Sequence, residues 1–345
     1  MALRIESSFD LHGYIESQIG GRAENQDAAG SFETALGTVV VVCDGMGGRN
    51  GGQTASSIAV KTIIDDIAKA ESQDLPEDVL RKAFAHAHKA IIEAAERDSS
   101  LKGMGTTAAA LIISSECAVA AHVGDSRIYQ LRGGRKAFRT TDHSLVFQYV
   151  KQGAITEEQA RLSSQSNVIT KALGVSETPE PDIEVLPYLK GDRFILCTDG
   201  FWGAMPEKDF VKCVGRKGCL KDILISTARE VNMIGVNNGG EHDNLTSAMV
   251  EVLCESKIKP RMSKKQKILF AVLCVLLLCS VTGNVLAVKK ITRSKEASAI
   301  TRQKEEPAVE RTEKGLPTQK DLSSGTGASA DSTKADSLKK STMQI

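Results

Sequence analysis

Four aspartates, spread along the chain yet set in one repeated context, constrain how this sequence can fold. Asp44 follows an apolar run in VVVVCDGMGG, Asp125 lies in AAHVGDSR, Asp199 in FILCTDG and Asp243 in GGEHDNLTSAMV. Short apolar runs bounded by glycine read as buried strands. A carboxylate at the end of such a strand is poorly solvated unless a cation compensates it. The repetition points to strand ends that converge on hard metal ions. Ligation by oxygen alone suits Mg²⁺ or Mn²⁺ rather than zinc.

The strand-like runs are TVVVVC (38–43), TTAAALIIS (106–114), AVAAHVG (118–124), RIYQLR (127–132), RFILCT (193–198) and LTSAMVEVL (245–253). Helical periodicity predicts helices over 54–70 and 77–98, the second with Pro76 at its start, and a further pair over 206–214 and 220–234. Consecutive strands broken by helix pairs argue for antiparallel sheets faced by helices, an α+β fold, rather than alternating βαβ units. His86 and His88 fall on a helix and are read as surface or packing residues. The chain carries 44 basic and 43 acidic residues, a balance that gives no reason to expect a nucleic-acid partner. None of its eight cysteines forms a C-x-x-C pair, and they read as buried, reduced thiols.

The sharpest boundary falls near residue 256, which predicts a folded domain over 1–256. Residues 268–288, ILFAVLCVLLLCSVTGNVLAV, carry no charge. As a helix they would span roughly 30 Å, enough to cross a bilayer core. The N-terminus shows no apolar segment of the kind a signal peptide needs. A basic linker at 257–267 outweighs the Lys289, Lys290, Arg293 and Lys295 flank. This bias predicts a single-pass membrane protein with its N-terminal domain in the cytoplasm and its C-terminus outside. Residues 289–345 contain no aromatic residue and are rich in Ser, Thr, Lys and Glu, so a disordered tail is expected.

Two divalent cations about 4 Å apart can activate a water and clamp the oxygens of an in-line displacement. Asp44 is the candidate bridging ligand, and the Gly45 carbonyl a candidate addition, because a D-G-M-G-G turn allows close backbone approach. A phosphate substrate would need a bidentate cation, for which Arg22 in GGRAENQD is the candidate. Alone, DGMGG is barely distinguishable from an ordinary glycine-rich turn.

Taken together, the blocks resemble the metal-dependent type-2C (PPM) protein serine/threonine phosphatases, particularly their bacterial branch. The matching segments are GGRAENQDA (20–28), VVCDGMGGRNGG (41–52), MGTTAAAL (104–111), AHVGDSRIY (121–129), TTDHSLV (140–146), NVITKALG (167–174), GDRFILCTDGFW (191–202) and EHDNLTSA (241–248). They occur in the family's order and span essentially all of residues 10–253.

The resemblance implies a four-layer α-β-β-α sandwich, two antiparallel sheets flanked by helix pairs, with a dinuclear Mn²⁺ or Mg²⁺ centre at one end. It implies that a hydroxide bridging the two ions attacks phosphoserine or phosphothreonine in proteins. Arg22 would bind the phosphate, and Asp27 would orient water on the metals. Asp44 would bridge them, with Gly45, Asp199 and Asp243 as further ligands and Asp125 (with Asp199) at a third cation. Gln26 stands where some members have Glu. Met46 stands where animal members have a His proposed as general acid, and bacterial members share the Met. Residues 144–168 match the family's flap. Within them VFQYVKQGAITEEQARLS reads as a short amphipathic helix pair, with Thr156 as an N-cap. Phosphorylated proteins are the implied substrates, and membrane Ser/Thr kinases and their targets are the partners suggested by the anchor. Two rivals stay open on sequence: a catalytically silent, membrane-tethered binding module of this fold, and a hydrolase of small phosphorylated metabolites.

Overall fold

The computed structural model describes residues 2–47, 51–175, 177, 179–260 and 286–296. The chain divides into two units, Met1–Met262 and Ser263–Ile345. The first holds every strand found among the described residues. It runs β1 (Leu3–Ile5), β2 (Leu11–Gln18), β3 (Asp27–Thr34), β4 (Gly37–Met46), α1 (Gly51–Ala68), α2 (Pro76–Arg97), β5 (Gly105–Thr106), β6 (Ala108–Ile113), β7 (Ala118–Val123), β8 (Arg127–Arg132) and β9 (Arg135–Arg139). There follow α3 (Leu145–Lys151), α4 (Glu157–Arg161), β10 (Asp182–Leu186), β11 (Arg193–Cys197), α5 (Asp199–Trp202), α6 (Glu207–Val214), α7 (Leu220–Asn237) and β12 (Leu245–Val252).

Two antiparallel sheets result, ordered β1-β2-β12-β11-β8-β9 and β10-β7-β6-β4-β3, with β5 pairing β4. The period-two geometry of a strand explains why the central ones are apolar throughout. In β4, Val39 and Val41 face α1 and α2, packing with Ile63, Phe84 and Ile91. Val40 and Val42 point the other way, into a core shared with Ile128, Phe194 and Val250 of the opposite sheet. A third core joins Tyr129, Ile195 and Met249 to Phe201, Phe210 and Leu224 of α5–α7. Helices therefore cover the outer face of each sheet.

The register sets the site. Asp27 pairs with Asp44 across β3 and β4, and Ala108 with Val123 across β6 and β7. Cys197 pairs with both Arg127 and Ser247, and Leu245 with Gln18. The C-terminal ends of β2, β4, β7 and β11 thus share one edge with the N-terminal ends of β3, β6, β8 and β12. Between β7 and β8 the chain crosses from one sheet to the other at Gly124, whose φ of +96° suits a residue without a side chain.

The helices lie within a few residues of the segments expected from periodicity. Pro76 opens α2, with Glu77 and Asp78 in the first turn favouring its positive end. The run 106–114 is not one strand. It breaks at Thr107, whose N–H donates to the Asp44 carbonyl instead of continuing the ladder. Strands β2, β3, β9 and β10 carry too many polar or small residues to stand out as apolar runs. Cys43, Cys117, Cys197 and Cys213 are buried free thiols, whereas Cys219 is exposed, contrary to a uniformly buried set. His86 is exposed and pairs with Asp66 at 2.6 Å, and His88 Nδ1 accepts the Gly174 N–H. His86 is thus a surface residue and His88 a half-buried packing contact, as expected.

The apolar run at 268–288 and the tail lie almost wholly outside the described residues. In the second unit, residues 286–296 are helical. Among the described residues no helix is long and apolar enough to cross a membrane.

Phe84 is fully buried where α2 meets the sheet. Phe84→Ala is expected to lower unfolding stability by about 3–5 kcal/mol, measured as a shift in the urea midpoint at unchanged slope.

Candidate active site

Asp44, Gly45, Asp125, Asp199, Asp243 and Arg22 line one cavity of about 590 Å³ at the shared strand edge. Asp27 lies behind this wall, 8% exposed, where its Oδ2 accepts a 3.0 Å hydrogen bond from Thr198 Oγ1. Met46 and Gln26 also border the cavity. A second space of about 460 Å³ shares Arg22, Asp125, Asp199 and Asp243 and continues along Phe147, Arg161 and Trp202. The residues singled out in the sequence therefore all come to one place.

Hydroxyls fix the strand ends that carry these carboxylates. The Asp44 N–H donates to Thr107 Oγ1 at 2.9 Å, and the Asp44 carbonyl accepts from Thr107 N–H at 2.9 Å and from Thr106 Oγ1 at 2.8 Å. Thr107 Oγ1 also bonds Ser126 Oγ at 2.7 Å, which ties the Asp44 strand to the Asp125 turn. The Trp202 indole donates to the Asp125 carbonyl at 3.1 Å. That indole stacks under Arg127, whose guanidinium carbon lies 3.3 Å from the ring centre. Arg127 in turn forms a buried two-pronged pair with Asp142, at 2.9 and 2.6 Å. A side chain at position 45 would place its Cβ 2.0 Å from the Gly52 carbonyl oxygen and 2.5 Å from that of Gln26. Only glycine lets the backbone enter here.

Like charges crowd the cavity. Burial and then the Asp199, Asp27, Asp125 and Asp243 charges hold the Asp44 carboxyl well above the usual carboxylate range. Asp125 is raised by burial, then by Asp199 and Asp142. Burial followed by Asp243 raises Asp199. Asp27 is pushed up to about 7, chiefly by burial and against the Thr246 and Thr198 hydrogen bonds. Arg22 reaches one member, Asp243 Oδ2, at 3.0 Å. Asp199 Oδ1 is buried without a hydrogen-bond partner. One guanidinium among five carboxylates, with an orphaned carboxylate oxygen, is a donor set that fits hard divalent cations.

Outside the cavity, His122, His143 and Asp182 bring one ligand atom each within 4.8 Å of one another. They do not suit a metal. The two imidazoles stack nearly parallel, 4.7 Å apart, so their in-plane lone pairs cannot converge. His143 Nδ1 accepts the Gly124 N–H at 3.2 Å, which leaves its proton on Nε2, 3.2 Å from Asp182.

The helix pair expected within residues 144–168 is present as α3 and α4. Thr156 caps α4 through a reciprocal capping box whose partner is Gln159. The segment is closed at its base by the Ser144–Ile169 bridge. Sequence reasoning missed Thr107, Thr198, Arg127, Asp142, Trp202 and Asn244. Each sits beside a residue it did identify or within a matching block, but nothing local marks a side chain that acts through a distant backbone.

A family model described as protein phosphatase 2C matches residues 16–218. The serine/threonine phosphatase stp of Listeria monocytogenes is 35% identical over 234 residues, 67% of this chain and 91% of that protein. The protein phosphatase PhpP of Streptococcus pneumoniae is 32% identical over 235 residues, 67% of this chain and 93% of its own length. The solved serine/threonine phosphatase of S. agalactiae superposes with a TM-score of 0.63 at 33% identity, covering 70% of this chain and 99% of that one. The catalytic domain of the serine/threonine phosphatase PstP, solved with 2 manganese ions, gives 0.59 at 28% identity over 70% of this chain and 98% of its own.

The raised carboxyls give the metal-free protein a definite pH dependence. In the folded state Asp27 keeps its proton to about pH 7, whereas the unfolded chain releases it near 3.8. The folded state therefore binds more protons between those values, and stability falls as pH rises through that window. The melting temperature of EDTA-treated protein is expected to drop between about pH 5 and about pH 8 as these groups ionise. Mn²⁺ should raise it far more at the upper end. A melting temperature that rises over that range would contradict this electrostatic picture.

Proposed function

The chain belongs to the protein phosphatase 2C family, and on that premise we infer that the aspartate-lined cavity is its catalytic centre. It is a metal-dependent hydrolase of phosphoserine and phosphothreonine in proteins. The observation that carries the assignment of this cavity is the convergence of five acidic side chains and Arg22 on one strand edge.

Asp44, with the Gly45 carbonyl, Asp199 and Asp243, would hold two divalent cations, and Asp125 with Asp199 would hold a third. Mn²⁺ or Mg²⁺ bound there would offset the carboxylate repulsion, acidify water and polarise phosphoryl oxygens. Arg22, half exposed at the rim and oriented by Asp243, receives the phosphoryl oxygens through its planar fork. Asp27, braced by Thr198 and paired with Asp44 across β3 and β4, would orient water on cations bound there. Met46 borders the cavity but has no proton to give, so the leaving serine or threonine oxygen would either take its proton from water or leave with little assistance. The intact acidic set and Arg22 speak against a silent binding module. The homologous protein phosphatases speak for phosphoproteins over small metabolites.

We also propose that residues 268–288 anchor a cytoplasmic catalytic domain (1–256), through the basic segment 257–267, with residues 289–345 as a polar extension outside. The uncharged run and its basic flanks support this reading. An anchored enzyme would act on phosphoproteins near the membrane, including those made by membrane Ser/Thr kinases.

Manganese-dependent phosphate release from a phosphothreonine peptide is expected, abolished by EDTA, with Asp199→Ala lowering kcat/KM by about two orders of magnitude or more. Folded protein without turnover in Mn²⁺ or Mg²⁺ would return the binding-module reading. For the anchor, the full chain should stay with membranes through an alkaline carbonate wash, and deletion of 268–288 should release it. Release of the intact chain by that wash would remove the anchor.

A further inference from the structure

We propose that Asn244 is a positioning residue that holds Arg22 over the cavity; the inference rests on the phosphate-binding role proposed above for Arg22. Arg22 lies in the connection between β2 and β3, residues 19–26, which belongs to no helix or strand. Its side chain is 51% exposed, so packing does not fix it. Asn244 is 4% exposed and its amide is spent on that connection. Its Nδ2 donates to the Ile19 carbonyl at 2.8 Å and to the Glu24 carbonyl at 2.9 Å. Its Oδ1 accepts the Gln26 N–H at 2.8 Å.

These three bonds grip the connection on both sides of Arg22. The Gly21 N–H adds a fourth tie, to the His242 carbonyl at 3.0 Å. The same residue is fixed to the acidic cluster, because the Asn244 N–H donates to Asp243 Oδ1 at 2.8 Å. One side-chain amide therefore holds the connection that carries Arg22 beside Asp243, the carboxylate that the guanidinium itself reaches at 3.0 Å. Neither a hydroxyl nor a carboxylate could replace it, since two donors and an acceptor are needed at once. Removing it takes these bonds from the Glu24 carbonyl and the Gln26 N–H, and leaves the Ile19 carbonyl only the 3.4 Å bond from the Arg22 N–H.

The test is a double-mutant cycle on the full chain with Asn244→Ala and Arg22→Ala. The readouts are KM and kcat for a phosphothreonine peptide, inhibition by inorganic phosphate, half-saturating Mn²⁺ and melting temperature. Asn244→Ala is expected to raise KM and the phosphate inhibition constant about tenfold, with kcat and half-saturating Mn²⁺ changed less than about threefold. In the Arg22→Ala background it should change KM by less than about twofold, because the group it positions is gone. Should Asn244→Ala not fold, Asn244→Ser carries the same cycle with a smaller effect. KM effects that multiply independently would overturn the proposal while leaving Arg22 in its role. So would a loss confined to melting temperature. An unchanged KM in Arg22→Ala would remove the Arg22 assignment, and this proposal with it.

Discussion

Mutual repulsion among five carboxylates at one edge of the sandwich is the constraint around which the rest is organised. Nothing in a folding chain favours bringing such groups together in a poorly solvated place. Here the antiparallel register imposes it, because β4, which bears Asp44, buries both its valine faces while paired with β3, which bears Asp27. Three apolar cores, each continuous across a layer boundary, supply the stabilisation that this polar edge opposes. Metal ions then convert a destabilising cluster into a binding site.

A second feature is the preference for hydroxyl and amide ties over apolar packing close to the cavity. Thr106, Thr107, Thr198 and Asn244 all bond to backbone or carboxylate in the neighbourhood of the aspartates, and Ser126 bonds the Thr107 hydroxyl. Such directional bonds hold strand ends to a fixed geometry, which nondirectional packing does not. The segment that carries α3 and α4 is attached in a different way. Arg139, with its side chain 8% exposed, bonds Glu157 of α4 at 2.7 Å and Glu207 of α6 at 2.8 Å, while its guanidinium lies 5.0 Å from the Phe147 ring of α3. A few polar contacts and one aromatic ring thus fasten this segment, against the broad apolar faces that fasten α1, α2 and α7.

Much of this was legible in the sequence wherever a residue's role depends on its own neighbours. The strands β4, β6, β7, β8, β11 and β12 were visible as apolar runs because both their faces are buried. Edge strands such as β3 and β9 were not, since DAAGSFET and RKAFR leave one face to solvent. The Gly133–Gly134 turn before β9, with φ of +57° and +72°, was a hairpin signal that periodicity alone passed over. The break at Thr107 had no local cause at all; it follows from a hydrogen bond to Asp44, far away along the chain.

What the sequence determined by itself was the chemistry: acidic groups after apolar runs, an arginine shaped for phosphate, and the alternation that makes two sheets with helices outside. These are properties of residue type and short-range order. The tertiary structure alone decided which groups share charge, which oxygen is left without a partner, and what holds Arg22 in place. Those depend on through-space distances between segments separated by up to 225 positions, where register and desolvation, not spacing, set the outcome.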